Sequence, residues 1–318
     1  MIQPKYYKQA STRKGIGDDA AILRHTNEEV IVSVDTMVED IHFSTMTTEP
    51  FHIGYRALAA NISDIAAMGG KPTSYLVSIV IPKKWSAKSL HQIYDGMKQL
   101  AKDYRMDLIG GDTVSGKQLT LSITVIGTVN ADKVRYRNSA REDDIIFVTG
   151  TLGDAACGLH LLLNKDQMYS DKYQYFLNRH QLPPQPRIDF INTCTAIDRI
   201  TLNDVSDGIA NELNEIADAS HKKLVIDFDT IPVHTLLADF TKEQQTAWKL
   251  SGGEDFELVG TVSVDNWIQL KEAALKTNTP ITAIGKVKND AKNNGSVWLN
   301  HNNQLKKLDK SGYTHLRR

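Results

Sequence analysis

The stretch NDVSDGIANEL, residues 203–213, has the pattern of a turn between a strand and a helix. The β-like run RITL (199–202) precedes it, and an apolar helical stripe begins at Ile209. One short polar side chain would suffice to cap this helix, because a single oxygen can accept a free backbone N–H. The turn nevertheless holds two carboxylates three residues apart, Asp204 and Asp207. A second acid at one turn therefore needs an explanation other than capping.

Strand-like and helix-like runs alternate along the chain on both sides of this turn. Strand patterns occupy residues 29–35, 74–82, 118–129, 144–150, 223–228, 255–262, 281–287 and 296–299. Helical patterns occupy residues 50–70, 86–104, 153–164, 207–219 and 243–250. The polar segment 132–143 lies between two strands and is the candidate domain boundary. Because both halves mix strands and helices, we predict two α/β (α+β) domains, at 1–137 and 138–318.

Composition excludes several classes of protein. The 318 residues carry 37 basic and 38 acidic side chains, so no global field attracts nucleic acid or an anionic membrane. No apolar run approaches the roughly 20 residues that cross a bilayer, and the N-terminus lacks the apolar core of a signal peptide. The two cysteines, Cys157 and Cys194, lack metal-type spacing. We therefore expect a soluble protein in a reducing, cytoplasmic setting, with no nucleic-acid or membrane partner.

Aspartates recur where predicted elements end, in most cases beside glycines. They lie in GIGDDAAIL (15–23), VSVDTMVEDIHF (32–43), LIGGDTVSG (108–116), NDVSDG (203–208) and LSGGEDFEL (250–258). In this prediction Asp35 ends a strand, and Asp112 follows a strand and a double glycine. Asp64 shares one face of the helix 50–68 with apolar residues, so we expect its carboxylate to face inward.

Each acid–glycine turn, taken singly, is equally consistent with ordinary turn and capping chemistry. The whole set indicates more, because carboxylates about 4 Å apart repel by about 4 kcal/mol at an effective dielectric near 20. Carboxylates therefore gather around cations, and oxygen ligands suit Mg²⁺ with substrate phosphates. The chain has no GxxxxGK[ST] motif, so a bound nucleotide would not depend on a P-loop lysine.

These motifs, taken together, resemble those of the thiamine-monophosphate kinase family in the aminoimidazole-ribonucleotide synthetase-like superfamily. The stretches that carry the resemblance are GIGDDAAIL, VSVDTMVEDIHF, ALAANISDIAAMGGKP (57–72), LIGGDTVSG, FVTGTLGDAACGL (147–159), NDVSDGIANEL, LSGGEDFEL and the tail SGYTHL (311–316). The resemblance implies a two-domain synthetase-like fold: an N-terminal sheet domain that forms a dimer barrel with a second copy, and a C-terminal α/β domain. It also implies that ATP and thiamine monophosphate are converted into ADP and thiamine diphosphate.

The resemblance also implies a role for individual residues. The implied ligands of several Mg²⁺ ions are Asp19, Ser33, Val34, Asp35, Asp64, Asp112, Asp204 and Asp207, with Val34 offering only its backbone carbonyl. The implied ATP contacts are Gly111, Asp112, Arg137 and Ser206, and the implied thiamine monophosphate contacts are His42, Glu254 and Tyr313. Among these, the residues implied to act directly in catalysis are Asp35, Asp207 and Arg137.

The attacking group would be a phosphate oxygen that is already anionic near neutral pH, so we expect direct in-line transfer without a general base or a phosphoenzyme. Two alternatives remain open at this stage. One is another ATP-using synthetase of the superfamily, and the other is a non-catalytic nucleotide-binding homologue. His42 is also consistent with a surface or packing histidine.

Overall fold

The computed structural model of the chain describes residues 6–14, 22–23, 28–164, 171–183 and 186–312. The chain divides into two compact units, one formed by Met1–Ile65 with Gly70–Val134 and the other by Ala66–Gly69 with Arg135–Arg318. Among the residues that the structure describes, no helix has both the length and the apolar character needed to cross a membrane.

The first unit is built on a four-stranded sheet. Its strands are β3 (Glu29–Val38), β4 (Lys71–Ile81), β5 (Asp107–Ser115) and β6 (Thr120–Val129), after a small antiparallel pair, β1 (Thr12–Lys14) and β2 (Ile22–Leu23). The order across the larger sheet is β3-β6-β4-β5, with antiparallel neighbours except for the parallel pair β4 and β5. Strands β3 and β5 are therefore its two edges.

Helices α1 (Pro50–Ala67) and α2 (Ala87–Asp103) pack closely against each other. A Cβ at Gly54 would lie 1.8 Å from the carbonyl oxygen of Ile93, and a Cβ at Gly96 would lie 1.9 Å from that of Phe51. Only glycine permits so close an approach of two helix backbones. The core of this unit includes Leu58, Ile62, Met97, Leu100, Leu121, Ile123 and Val125, all fully buried.

Strand β3 presents apolar side chains on a face that is open in the single chain. Val30, Val32 and Val34 alternate along it and are 50%, 61% and 60% exposed. Apolar rows of this kind on a sheet face indicate an interaction surface.

The second unit contains a seven-stranded mixed sheet. Its strands are β7 (Ile145–Thr149), β8 (Ile200–Asp204), β9 (Lys223–Asp227), β10 (Leu258–Val262), β11 (Ile281–Lys288), β12 (Ser296–His301) and β13 (Gln304–Leu308), in the order β13-β12-β9-β11-β7-β10-β8. All neighbours are antiparallel except β12 and β9.

Among the described residues, six α-helices accompany this sheet: α3 (Asp154–Leu163), α4 (Gln174–Gln181), α5 (Ile188–Thr193), α6 (Ile209–Ser220), α7 (Lys242–Ser251) and α8 (Trp267–Lys276). The buried residues Ile209, Leu213 and Ile216 of α6 join sheet residues such as Ile146 and Val259 in one apolar cluster. The stripe expected after the turn at 203–208 is thus the face that fixes α6 on the sheet.

Most predicted elements are confirmed, with ends shifted by a few residues, but two predicted strand ends were wrong. β3 continues to Val38, so Asp35 lies inside the strand. β5 continues through the double glycine to Ser115, so Asp112 also lies within a strand. The register shifts between Tyr75 and Leu76 of β4, and this bulge keeps the glycines paired instead of releasing them into a turn.

Candidate functional site

The turn after β8 separates its two aspartates by burial. Asp204 ends the strand and is 3% exposed, whereas Asp207 is exposed. Gly208, with a φ of 99°, occupies the N-cap position of α6, and no side chain caps the helix there. Neither aspartate therefore serves as the N-cap, the role that turn chemistry alone would give it.

A buried glutamate from the helix holds this turn instead. Glu212 Oε1 accepts the backbone N–H of Asp207 at 3.1 Å and the hydroxyl of Ser206 at 3.5 Å. Its other oxygen, Oε2, accepts the side-chain amide of Asn203 at 2.5 Å. Burial raises the pKa of Glu212 to about 7, and the hydrogen bond from Asp207 opposes that rise. Ser206 and Asp207 are thus fixed from the first turn of α6.

The same chain of hydrogen bonds reaches Arg137, the predicted phosphate contact. Arg137 is exposed, and its Nε donates to Asn203 Oδ1 at 3.0 Å. Sequence reasoning did not identify Asn203 or Glu212. An asparagine in a strand and a glutamate in an amphipathic helix have the patterns of ordinary structural positions. The only available signal was their nearness to the aspartate-rich turn.

The loop LSGGEDFEL pairs with this turn through its backbone. The N–H of Glu254 donates to Ser206 O at 2.7 Å, and the N–H of Phe256 donates to Val205 O at 3.0 Å. Glu254 and Phe256 have φ angles of 66° and 49°, a left-handed conformation that costs energy for residues other than glycine. This strain places Glu254, whose side chain is 30% exposed, beside the Ser206 turn.

Two buried acids hold the strained loop rigid. Asp255 accepts the N–H groups of Gly153 and Ala155 at 2.6 and 3.1 Å, at the start of α3. Burial raises the pKa of Asp255 to about 7, and the Arg179 guanidinium opposes that rise. Glu257 accepts two hydrogen bonds of 2.7 Å from Arg187.

Burial would raise the pKa of Glu257, but the Arg187 charge and hydrogen bonds lower it below its ordinary value. Both flanks of Phe256 are therefore anchored by buried carboxylates.

The predicted tail contact falls at the limit of what the structure describes. Gly312 donates its N–H to Asn211 Oδ1 at 3.3 Å, and a Cβ at Gly312 would lie 2.0 Å from Asp207 O. The chain thus returns to the aspartate-rich turn immediately before Tyr313. Tyr313 itself, like Asp19 in GIGDDAAIL, lies outside the described residues.

In the first unit, polar side chains of β3 contact α1. The Ser33 hydroxyl donates to Asp64 Oδ2, and the N–H of Asp35 donates to Asn61 Oδ1 at 3.0 Å. Asp64 is half-buried, and its carboxylate meets Ser33 of the edge strand β3. Val34, between Ser33 and Asp35, has its side chain on the exposed face.

His42 has a structural contact of its own. Its Nδ1 accepts the N–H of Val38 at 3.0 Å, which closes the turn after β3 and leaves Nε2 as the other ring nitrogen. This contact agrees with the packing role kept open above, and the ring is half-buried.

Gly111 and Asp112 lie at the opposite edge of the sheet, on β5. A Cβ at Gly111 would lie 2.0 Å from the carbonyl oxygen of Val77, so β4 and β5 meet there at a distance that requires glycine. Asp112 is exposed, and its Oδ1 accepts the N–H of Thr113 at 2.8 Å. Across residues 6–14, 22–23, 28–164, 171–183 and 186–312, no group of three or more His, Cys, Asp or Glu side chains is close enough to hold a metal ion.

Comparison with known proteins relates this arrangement to a family. Residues 17–129 match the N-terminal domain of AIR synthase related proteins, and residues 141–297 match the C-terminal domain. The chain is 46% identical over 321 residues to thiamine-monophosphate kinase of Bacillus subtilis (strain 168), covering 99% of this chain and 97% of that protein. This chain belongs to the thiamine-monophosphate kinase family.

Solved structures agree with this family and its fold. The crystal structure of thiamine-monophosphate kinase from Stenotrophomonas maltophilia K279a has a TM-score of 0.83 and 32% identity, covering 92% of each chain. A structure described as AaThiL complexed with AMPPCP and TMP has a TM-score of 0.80 and 27% identity, covering 95% of this chain and 92% of the other. The predicted two-domain, mixed α/β synthetase-like fold is thereby confirmed.

Proposed function

We propose that this protein transfers the γ-phosphoryl group of ATP to thiamine monophosphate, giving ADP and thiamine diphosphate. The observation that carries the proposal is the full-length similarity to the Bacillus subtilis kinase. The complex of AaThiL with AMPPCP, an ATP analogue, and TMP supports the same pair of substrates. The proposed conversion is the last step of thiamine diphosphate biosynthesis.

On this proposal, the second unit supplies contacts to the nucleotide. Arg137 and Ser206 would contact ATP. Arg137 is hydrogen-bonded to Asn203, Asn203 to Glu212, and Glu212 to Ser206, so one chain of hydrogen bonds holds both proposed contacts. Arg137 is exposed and its planar guanidinium suits phosphate oxygens. Gly111 and Asp112 of the first unit complete the proposed set of ATP contacts.

The proposed contacts to thiamine monophosphate are His42, Glu254 and Tyr313. Glu254 has the strongest structural support, because a strained backbone and buried anchors hold a partly exposed carboxylate beside Ser206. Strain of this kind persists where the surrounding structure enforces it and is concentrated at functional sites.

Magnesium ions would bind to oxygen ligands, and the predicted ligand set consists of oxygen donors. The set is Asp19, Ser33, Val34, Asp35, Asp64, Asp112, Asp204 and Asp207. Carboxylate and carbonyl oxygens are the donors that Mg²⁺ prefers. The contact between Ser33 and Asp64 brings two of these donors together at the edge strand. Bound Mg²⁺ would neutralise the phosphate charges that otherwise repel each other.

The residues of this chain would orient the substrates and would not form a covalent intermediate. Asp35, Asp207 and Arg137 are the residues that we propose to act directly. A phosphate oxygen attacks the γ-phosphorus in line with the departing ADP oxygen, and Arg137 stabilises the charge that develops on the transferred group. The acceptor oxygen is anionic near neutral pH, so the mechanism requires no general base.

We also propose a homodimer, a domain boundary and a cytoplasmic location. The exposed valines of β3 support the dimer, because a second copy would cover an apolar sheet face and extend the sheet into a barrel. The proposed boundary between residues 137 and 138 falls between the two matched domains, which end at 129 and begin at 141. The cytoplasmic location rests on cysteine usage, since both thiols are free.

An ADP-release assay tests the proposed function by comparing thiamine monophosphate, free thiamine and no acceptor, each with Mg-ATP. We expect release only with the monophosphate, and its loss in Asp207→Asn. Equal ADP release in all three reactions would contradict thiamine monophosphate as the substrate. Turnover of an unrelated acceptor would favour another synthetase of the superfamily, and absence of any turnover would favour a non-catalytic homologue.

A further inference from the structure

We infer that Asn203 and Glu212 form a hydrogen-bond relay of fixed direction that positions both Arg137 and the Ser206–Asp207 turn for the phosphates of ATP. The inference rests on the proposed function for the identity of the nucleotide. It assigns a positioning role to two residues that would not themselves contact the substrates.

The relay is continuous and its inner members are buried. Arg137 Nε donates to Asn203 Oδ1 at 3.0 Å, and Asn203 Nδ2 donates to Glu212 Oε2 at 2.5 Å. Glu212 Oε1 accepts from the N–H of Asp207 and from the Ser206 hydroxyl at 3.1 and 3.5 Å. Asn203 is 1% exposed and Glu212 is 5% exposed, whereas Arg137 is exposed. Two buried side chains thus link an exposed cation to the backbone of the turn.

The chemistry of the side chains fixes the direction of the relay. A guanidinium can only donate, so Asn203 must present its oxygen to Arg137 and its amide group to Glu212. Glu212 must then accept at Oε2, and at Oε1 it meets a second donor, the N–H of Asp207. The side chain at position 212 must therefore accept a hydrogen bond at each of its two terminal atoms, and an ionised carboxylate does so.

A glutamine at position 212 would break this direction while keeping the shape of the side chain. Its amide carries one oxygen, which can accept from Asp207 or from Asn203 but not from both. If the new NH₂ group faces Asn203, it meets the NH₂ group of Asn203, which is also a donor. Rotation of the Asn203 amide removes that clash but turns its NH₂ group toward Arg137, which can only donate. Buried donors without acceptors are costly, so we expect Arg137 and the turn to lose their fixed positions.

A second substitution should restore the direction. In the double variant Asn203→Asp/Glu212→Gln, the new carboxylate accepts from Arg137 and from the new glutamine amide. The glutamine oxygen still accepts the N–H of Asp207. The double variant also keeps the total charge of the pair, because one acid replaces the other.

The experiment measures the dissociation constant of Mg-ATP by calorimetry for the wild type, Glu212→Gln and the double variant. We expect at least a tenfold weaker binding in Glu212→Gln and recovery to within about threefold of the wild type in the double variant. Glu215→Gln is the matched control, because Glu215 lies on the same helix, contacts Lys310 and is outside the relay. Melting temperatures of all four proteins show whether each variant is folded.

Among the variants, either of two results would overturn the relay: unchanged binding in Glu212→Gln, or a folded double variant that binds no better than the single variant. A wild type that binds no Mg-ATP would overturn it as well. Conversion of thiamine monophosphate is measured separately on the same wild-type sample. Failure of that conversion with the expected binding pattern would overturn the proposed substrate and still support the relay.

Discussion

Asp35 and Gly111 lie in one row across the first unit's sheet, at its two opposite edges. The register pairs Asp35 with Ile123, Ile123 with Val77, and Val77 with Gly111. Three strand spacings of about 4.8 Å separate the two edges by about 14 Å. Asp112 follows Gly111, so within one chain the carboxylates of Asp35 and Asp112 are too far apart to bind the same ion.

The first prediction concerns how these two acids serve one triphosphate. In the proposed dimer, edge strands of two copies meet, so we expect Asp35 of one copy and Asp112 of the other to serve the same site. Asp35→Asn and Asp112→Asn should each be inactive alone. Mixed dimers formed by refolding the two variants together should recover about a quarter of the wild-type kcat, because half the dimers are mixed and each holds one intact site.

The result that would contradict a shared site is a mixture with no more activity than the separate variants. Native mass spectrometry of the same mixture, with one variant isotopically labelled, serves as the control, since it measures the fraction of mixed dimers directly.

The second prediction tests the unexpected course of β5. Gly111→Ala would place a Cβ 2.0 Å from the backbone oxygen of Val77, whereas Gly110→Ala would meet only the Leu76 side chain at 3.2 Å. The paired backbone of β4 cannot move aside, whereas the end of the Leu76 side chain can. We therefore expect Gly111→Ala to lower the free energy of unfolding by about 1–3 kcal/mol. Urea denaturation should show a clearly smaller loss for Gly110→Ala, and equal losses would contradict the register.

The third prediction concerns the buried anchor of the Glu254 loop. Glu257→Gln removes the buried charge that pairs with the half-buried Arg187 and lies 3.5 Å from Arg179, so we expect a loss of about 3–5 kcal/mol in the free energy of unfolding near neutral pH. Glu257 has a pKa below its ordinary 4.5, so its stabilisation is present above about pH 4.5 and is lost as pH falls through the lowered value.

The difference between wild type and Glu257→Gln should therefore narrow in acid. Denaturation curves at a series of pH values measure it, with the exposed Glu272→Gln as control. A difference that stays constant into strong acid would rule out the ion pair as its source.

The fourth prediction concerns the two thiols. Cys157 and Cys194 are 0% and 1% exposed, and burial raises the pKa of both, that of Cys194 to about 12. Only about one Cys194 side chain in 10⁴ would be ionised near pH 8. Intact-mass measurement should find no alkylation of the native protein and two modifications after unfolding. Rapid single modification of the native protein would show that one thiol is accessible.

The spacing of apolar residues and the residue types at turns predicted much of the fold, because the strands and the apolar stripe of α6 follow regular spacing. The predicted helix 153–164 is confirmed as α3, and its Cys157 is buried in the core. The course of β5 was not predictable, because the double glycine has the local pattern of a turn and only its pairing with β4 keeps it extended. Helix α8 was missed, since its exposed Ile268 and Leu275 blur the amphipathic pattern.

The sequence predicted those residues of the candidate site in which an acid lies next to a glycine in a turn. It did not predict the residues of strand β8 and helix α6 that hydrogen-bond to that turn. Asp204 and Asp207 were apparent from their turn. Asn203 and Glu212 were not, because their role depends on hydrogen bonds that form only when β8, α6 and the segment of Arg137 come together. Residue type and spacing do not record such contacts.

The most direct test of the proposed phosphoryl transfer is ³¹P NMR of the wild-type protein with Mg-ATP and thiamine monophosphate. We predict that the β-phosphate signal of thiamine diphosphate rises in step with ADP, with no free phosphate, and that Asp207→Asn abolishes both. ADP and inorganic phosphate without thiamine diphosphate, or ATP left unchanged, would contradict the proposed phosphoryl transfer.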